Sequence, residues 1–170
     1  MIDVMISEKE IADKVLEIAG KIQKDYEGEE LLVVGILKGA NIFVADLIRK
    51  LDLDIKMDFM SVSSYGNSTE SSGTVKIIKD LDTDIKGKNV LIVEDIIDSG
   101  LTLSNLVKAL ETRQPKSLKL CTLLDKPQRR TVDMFVDYIG FKIEDKFIVG
   151  YGIDWAEKYR NLPYIGVVNQ

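Results

Sequence analysis

Three predominantly apolar runs constrain this chain more than any other feature: LLVVGIL at 31–37, VLIV at 90–93 and LKLCTLL at 118–124. They are continuous rather than alternating, the pattern of strands covered on both faces. Stretches with helical spacing, NIFVADLIRKL from residue 41 and LTLSNLVKAL from residue 101, separate them. A helix has one apolar stripe to bury, and a doubly covered strand needs such a stripe on each side. The two demands meet in an α/β domain with a mostly parallel central sheet flanked by helices. Upstream, Ser7 and Glu10 fit a capping box ahead of Ile11, Val15, Ile18 and Ile22, and Gly28 can end that helix. IKMDFMSV (55–62) partly alternates, like a half-buried strand, and short strands are predicted near 135–139, 147–151 and 164–168. Residues 64–74, SYGNSTESSGT, read as a loop.

A length of 170 residues suits one domain. Composition then narrows the chemistry. There is no histidine, which excludes Ser-His and Cys-His catalysis and any histidine metal site. Acid–base work falls to Asp, Glu, Lys or Tyr. A metal would be held by oxygen, which favours magnesium or manganese over zinc. The single cysteine, Cys121, lies in an apolar run and reads as an inert buried thiol in a reducing setting. A net charge of −5 argues against broad binding of a nucleic-acid backbone. The N-terminus lacks a signal-peptide pattern, and no apolar run approaches the about 18 residues of a membrane span, so a soluble cytoplasmic protein is expected.

One stretch asks for a ligand. In LIVEDIIDSGLTL (91–103), an apolar strand runs into Glu94 and Asp95, then Asp98, and then Ser99, Gly100 and Thr102 lead into a helix. Glu94 and Asp95 are expected where strand 89–93 ends. In a parallel sheet, ligands bind beyond the carboxyl ends of the strands. A helix N-terminus presents free N–H groups and a partial positive charge suited to phosphate. The acids call for a sugar diol, a divalent cation or both, and a phosphorylated ribose with a metal-chelated polyphosphate meets every demand. On the residues alone, a helix capped by Asp98 or Ser99 with solvated acids also fits. No Walker A pattern occurs in the chain.

The stretch closely resembles the 5-phosphoribosyl-1-pyrophosphate-binding motif of the type I phosphoribosyltransferases: hydrophobic residues, two acids, then D-[ST]-G-x-T. GILKGANIFVADL, SSYGNSTESSGTVKI, LLDKPQRR and DKFIVGYGIDWAEKYRNLP extend the likeness over nearly the whole chain, toward the short bacterial hypoxanthine-guanine phosphoribosyltransferases. The resemblance implies the type I phosphoribosyltransferase fold. It adds a small hood built from about 145–170 and part of the N-terminus, and a mobile lid over 64–74 opening with Ser64 and Tyr65. The implied reaction transfers the 5-phosphoribosyl group to N9 of hypoxanthine or guanine, giving IMP or GMP and pyrophosphate, with Mg2+ as cofactor and a homodimer or homotetramer as the assembly.

The same resemblance distributes roles. Glu94 and Asp95 would hold the ribose hydroxyls and a magnesium ion. Asp98 would exchange a proton at purine N7 and begin the 5-phosphate run, which continues through Ser99, Gly100, Leu101 (by its backbone amide only) and Thr102. Lys38 and Gly39 match the pyrophosphate loop, where the Lys-Gly peptide bond is often cis, and Arg160 would clamp pyrophosphate. Lys126, which on its own reads as a solvated lysine, matches the donor to O6 of the base. Phe147 matches the aromatic that stacks on the purine, and Ile148 the residue offering backbone contacts to its edge. Asp154 matches a base-site residue and the ligand of a second magnesium. Trp155 stands where some relatives carry Tyr.

Two other readings share parts of this pattern. VLIVED also opens signalling receiver domains, but there the acid pair belongs near the chain start and D-S-G-x-T has no role. A regulator of the same fold that senses phosphoribosyl pyrophosphate fits less well with the acidic balance and with Asp98, Lys126 and Arg160.

Overall fold

The computed structural model describes residues 1–64 and 75–169. Strands and helices follow in the order β1 (Ile2–Ile6), α1 (Glu8–Asp25), β2 (Glu30–Ile36), α2 (Asn41–Ile48), β3 (Asp54–Ser64), β4 (Val75–Lys79), β5 (Asn89–Ile97), α3 (Leu101–Glu111), β6 (Ser117–Asp125), β7 (Tyr138–Lys142), β8 (Ile148–Val149) and β9 (Ile165–Val168). Among the described residues, six strands form the main sheet in the order β4-β3-β2-β5-β6-β7. All pairs in it are parallel except β3 with β4. This is the α/β architecture expected, with β2, β5 and β6 at its centre.

The continuous apolar runs are explained by pleating, which sends alternate residues to opposite faces. Leu31, Val33, Leu91 and Val93 join the core under α1 and α2, with Ile11, Val15, Ile18, Phe43 and Leu47. Leu32, Val34, Val90 and Ile92 join the core under α3, with Leu103, Leu106 and Leu110. Each strand therefore serves two cores. Cys121 is buried in the first, and burial pushes its thiol far above the ordinary value, so it is inert as expected. Ser7 caps α1 as predicted, its hydroxyl accepting the Glu10 N–H at 3.1 Å. Among the described residues, no helix is long and apolar enough to cross a membrane.

Three expectations need correction. Strand β5 does not stop at residue 93 but continues to Ile97, because Ile96 and Ile97 keep pairing with Leu124 and Asp125 of β6. Glu94 and Asp95 thus sit inside a strand. The strand predicted near 135–139 lies at Tyr138–Lys142, since register with Cys121–Asp125 fixes it and Phe135 is 80% exposed. The N-terminal segment, not predicted as a strand, pairs antiparallel with β9. With β8 they make a separate three-stranded sheet that joins the two ends of the chain.

Candidate active site

The carboxyl ends of β2, β5 and β6 lie side by side, and the chain leaving each supplies polar groups. Because Glu94 and Asp95 are consecutive in β5, the pleat turns them to opposite faces. Glu94 lines a cavity of about 260 Å³ with Val62, Ile97, Asp98, Ser99, Gly100 and Thr102. Asp95 instead lies against Gly39, so closely that a Cβ there would collide with its carboxylate. Burial holds the Glu94 carboxyl well above its ordinary value, and the charge of Asp95 adds to this. Asp95 is raised by burial too, opposed first by a hydrogen bond with Glu94, then by backbone N–H groups, and least by Arg160. The two acids are left under-compensated by the surrounding protein.

Beyond them the chain turns into α3. Gly100 takes the cap position with φ +79°, in the left-handed region that glycine tolerates. Ser99 Oγ accepts the Leu101 N–H at 3.2 Å, so its side chain does part of the capping that the sequence allowed for. Asp98 does not cap the helix; it stands exposed between two cavities. Arg130 braces the turn from behind. Its Nε donates to Asp98 O at 3.3 Å, and its guanidinium pairs with buried Asp125.

The second cavity, about 350 Å³, shares Ile96 and Asp98 with the first and is completed by Lys126, Asp145, Phe147, Ile148, Ile153 and Asp154. Lys126, which the sequence alone made a solvated lysine, is only 8% exposed. Its ammonium lies 3.6 Å from Asp98 Oδ1 and 3.6 Å from Asp145 Oδ1. Phe147 is half exposed at the cavity wall and meets Trp155 edge-on, with ring centroids 5.8 Å apart. Ile148 is buried in β8.

A third cluster gathers Lys38, Gly39, Asp154 and Arg160. Arg160 Nη1 donates to Gly152 O at 2.8 Å, and Nη2 lies 3.4 Å from Asp154 Oδ1. A Cβ on Gly152 would strike the Gly39 carbonyl, so the two loops touch through their glycines. The cis peptide of this region is Leu37–Lys38, one bond earlier than the Lys38-Gly39 bond the resemblance implied. From Lys38 onward the chain already makes the turn into α2, with Asn41 N–H donating to Lys38 O at 3.1 Å.

The sequence-predicted residues therefore fall into three adjoining groups: Glu94 with Asp98–Thr102, Asp98 with Lys126, Phe147, Ile148 and Asp154, and Lys38, Gly39 and Arg160 beside Asp95. Ser64 ends β3; Tyr65 and the rest of the predicted lid lie outside the described residues. Sequence reasoning missed Asp145, Arg130 and Glu157. Each acts through a contact distant in sequence, and no local spacing marks it.

The family described as phosphoribosyl transferase domain matches residues 5–155. The hypoxanthine-guanine phosphoribosyltransferase of Bacillus subtilis (strain 168) is 58% identical over 165 residues, covering 97% of this chain and 92% of the relative. The hypoxanthine phosphoribosyltransferase of Salmonella typhimurium is 53% identical over 169 residues, 98% of this chain and 95% of the relative. Among solved structures, a hypoxanthine-guanine phosphoribosyltransferase from Bacillus anthracis, with HEPES in its active site, superposes with a TM-score of 0.95 at 57% identity, covering 98% of both chains.

Proposed function

The chain belongs to the phosphoribosyl transferase domain family, and we propose that it transfers the 5-phosphoribosyl group of phosphoribosyl pyrophosphate to N9 of hypoxanthine or guanine, releasing IMP or GMP and pyrophosphate. It is a phosphoribosyltransferase of purine salvage. The observation that carries the reading is the pair of cavities meeting at Asp98: one lined by a helix start and Glu94, the other by a buried lysine and an aromatic wall.

In this reading, the first turn of α3 with Ser99, Gly100, the Leu101 amide and Thr102 receives the 5-phosphate, because the first N–H groups of a helix have no intrahelical acceptor. Glu94 and Asp95 take the ribose hydroxyls. Asp98 faces the base cavity and exchanges the proton at purine N7, which lets the ring shed charge as N9 bonds to C1 of the sugar. Lys126 donates to O6 of the base, held between Asp98 and Asp145. Adenine would oppose its own donor to that ammonium and leave both unpaired. Phe147 stacks on the ring, and the Ile148 backbone meets its edge. Lys38, Gly39 and Arg160 receive the leaving pyrophosphate, Arg160 through its planar fork. Ser64 and Tyr65 open the lid that would exclude water from the reacting sugar.

Magnesium fits this donor set. Glu94 and Asp95 offer oxygen ligands whose charge the protein leaves under-compensated. Among the described residues no cluster of three or more metal-binding side chains forms. A shared site therefore suits the ion, with substrate and water oxygens completing the shell. Asp154 would serve a second ion on the pyrophosphate side. Magnesium bound there would screen the phosphates' negative charge. The reading also includes a cytoplasmic homodimer or homotetramer.

Incubation with phosphoribosyl pyrophosphate, magnesium and each of hypoxanthine, guanine and adenine tests it. Nucleotide should form with the two 6-oxopurines and hardly with adenine. No nucleotide with any base would leave a phosphoribosyl pyrophosphate sensor of the same fold.

A further inference from the structure

Lys38 and Arg160 come from loops 122 residues apart, yet one side chain contacts both. Glu157 Oε2 accepts from Lys38 Nζ at 3.1 Å, and its Oε1 accepts from Arg160 Nη2 at 3.3 Å. The carboxylate spans the two cations as a bound anion would, one oxygen to each. Its placement is built into the backbone. The Glu157 N–H donates to Asp154 Oδ2 at 2.8 Å, and Trp155 and Lys158 exchange two backbone bonds of 3.0 Å across the turn. Ala156, Glu157 and Tyr159 all hold positive φ, at 52°, 64° and 74°. Non-glycine residues take that conformation only where their surroundings over-determine it.

We infer that Glu157 is an internal competitor of pyrophosphate: its carboxylate occupies the cations that bind the leaving group and lowers the affinity of the site for both phosphoribosyl pyrophosphate and the pyrophosphate product. This rests on the assignment of Lys38 and Arg160 to pyrophosphate above. A site with two free cations and magnesium would hold its product tightly and empty slowly. An attached carboxylate returns to the cations as the product departs, and it exacts the same toll on substrate entry. Among the described residues, Arg160 Nε is buried without a hydrogen-bond partner. The Gly152 carbonyl fixes Nη1, so Nη2 is the part of the fork over which Glu157 and an incoming phosphate compete.

A strut that merely positioned Lys38 would act in the opposite direction, because removing it would weaken phosphate binding. Glu157→Gln, which keeps size and removes charge, separates the two. Competition predicts that the inhibition constant for pyrophosphate and the KM for phosphoribosyl pyrophosphate both fall, by roughly three- to tenfold for two solvent-exposed ion pairs, while the KM for hypoxanthine holds. The gap should narrow at high salt. Glu157→Gly, suited to the positive φ, should shift both constants the same way and covers the case in which Gln perturbs the turn. If pyrophosphate competes with phosphoribosyl pyrophosphate in the parent chain but its inhibition constant is unchanged or raised in both variants, Glu157 is no competitor. If pyrophosphate does not displace phosphoribosyl pyrophosphate from the parent chain in equilibrium binding, the assignment of Lys38 and Arg160 fails and this inference fails with it.

Discussion

Helices α1 and α3 begin under the same physical constraint and resolve it differently. At α1 the chain satisfies itself: Ser7 accepts the Glu10 N–H, and Glu8 and Glu10 place negative charge in the first turn. At α3 a left-handed glycine stands at the cap with no side chain to bond, Ser99 Oγ takes up only the Leu101 N–H, and the first turn holds no acid. The acids lie a few residues upstream instead: Glu94 and Asp98 in the walls of two cavities, and Asp95 against Gly39. A helix start that its own chain completes is architecture. One left partly open, beside the raised carboxyls of Glu94 and Asp95, suits the ligand we propose, an anion with a diol at its other end.

The contrast is sharpened most by Asp98→Asn. Loss of proton exchange should lower kcat about 10²- to 10⁴-fold with little change in the KM for phosphoribosyl pyrophosphate. Steady-state kinetics showing equal losses in both would move Asp98 from the base to the phosphate grip. Next comes Gly100→Ala. A Cβ there meets Arg130 Cδ at 3.0 Å and forces alanine to φ +79°. A left-handed alanine costs about 1–2 kcal/mol, so Tm should fall and the KM for phosphoribosyl pyrophosphate should rise together.

Glu94→Gln should pull stability and activity apart. Its folded-state pKa is raised, chiefly by burial. The folded chain therefore binds that proton more tightly than the unfolded chain, whose value is about 4.3. Its contribution to stability is fully present below that pH and is lost as pH rises through the raised value. The variant should melt higher than the parent at pH 8, with the gap closing toward pH 4, while activity drops. A parent Tm insensitive to pH across that interval would show the acid to be compensated in some other way. The smallest effect belongs to α1. Ser7→Ala should remove about 1 kcal/mol in denaturant unfolding and leave kcat/KM unchanged, since nothing at that helix start awaits a ligand.

How much of this could be read beforehand follows from range in sequence. The run Glu94–Thr102 was legible because strand end, turn and helix start are contiguous, so residue types in order already imply geometry. The central strands were legible because both their faces are buried. Strand β1 was not, because IDVMI gains a partner only when β9 arrives from the far end of the chain. The division of Glu94 and Asp95 between two faces depended on β5 running four residues past Val93, which pairing with β6 decides. Lys126 was expected to be solvated from its position alone. Its ammonium is partnered by Asp98 and Asp145, which converge on it from other segments. Asp145 and Arg130 owe their places to tertiary contacts that no local pattern encodes, and Glu157, though its own turn sets it, meets Lys38 only across the fold.

We propose that the start of α3 and the acids of β5 hold opposite ends of one sugar phosphate. A crystal structure of the chain with phosphoribosyl pyrophosphate and magnesium tests it most directly. The 5-phosphate should lie against Ser99, Gly100 and Thr102, with the ribose hydroxyls turned to Glu94 and Asp95. A ligand ordered elsewhere, with the α3 cavity holding only solvent, would contradict it.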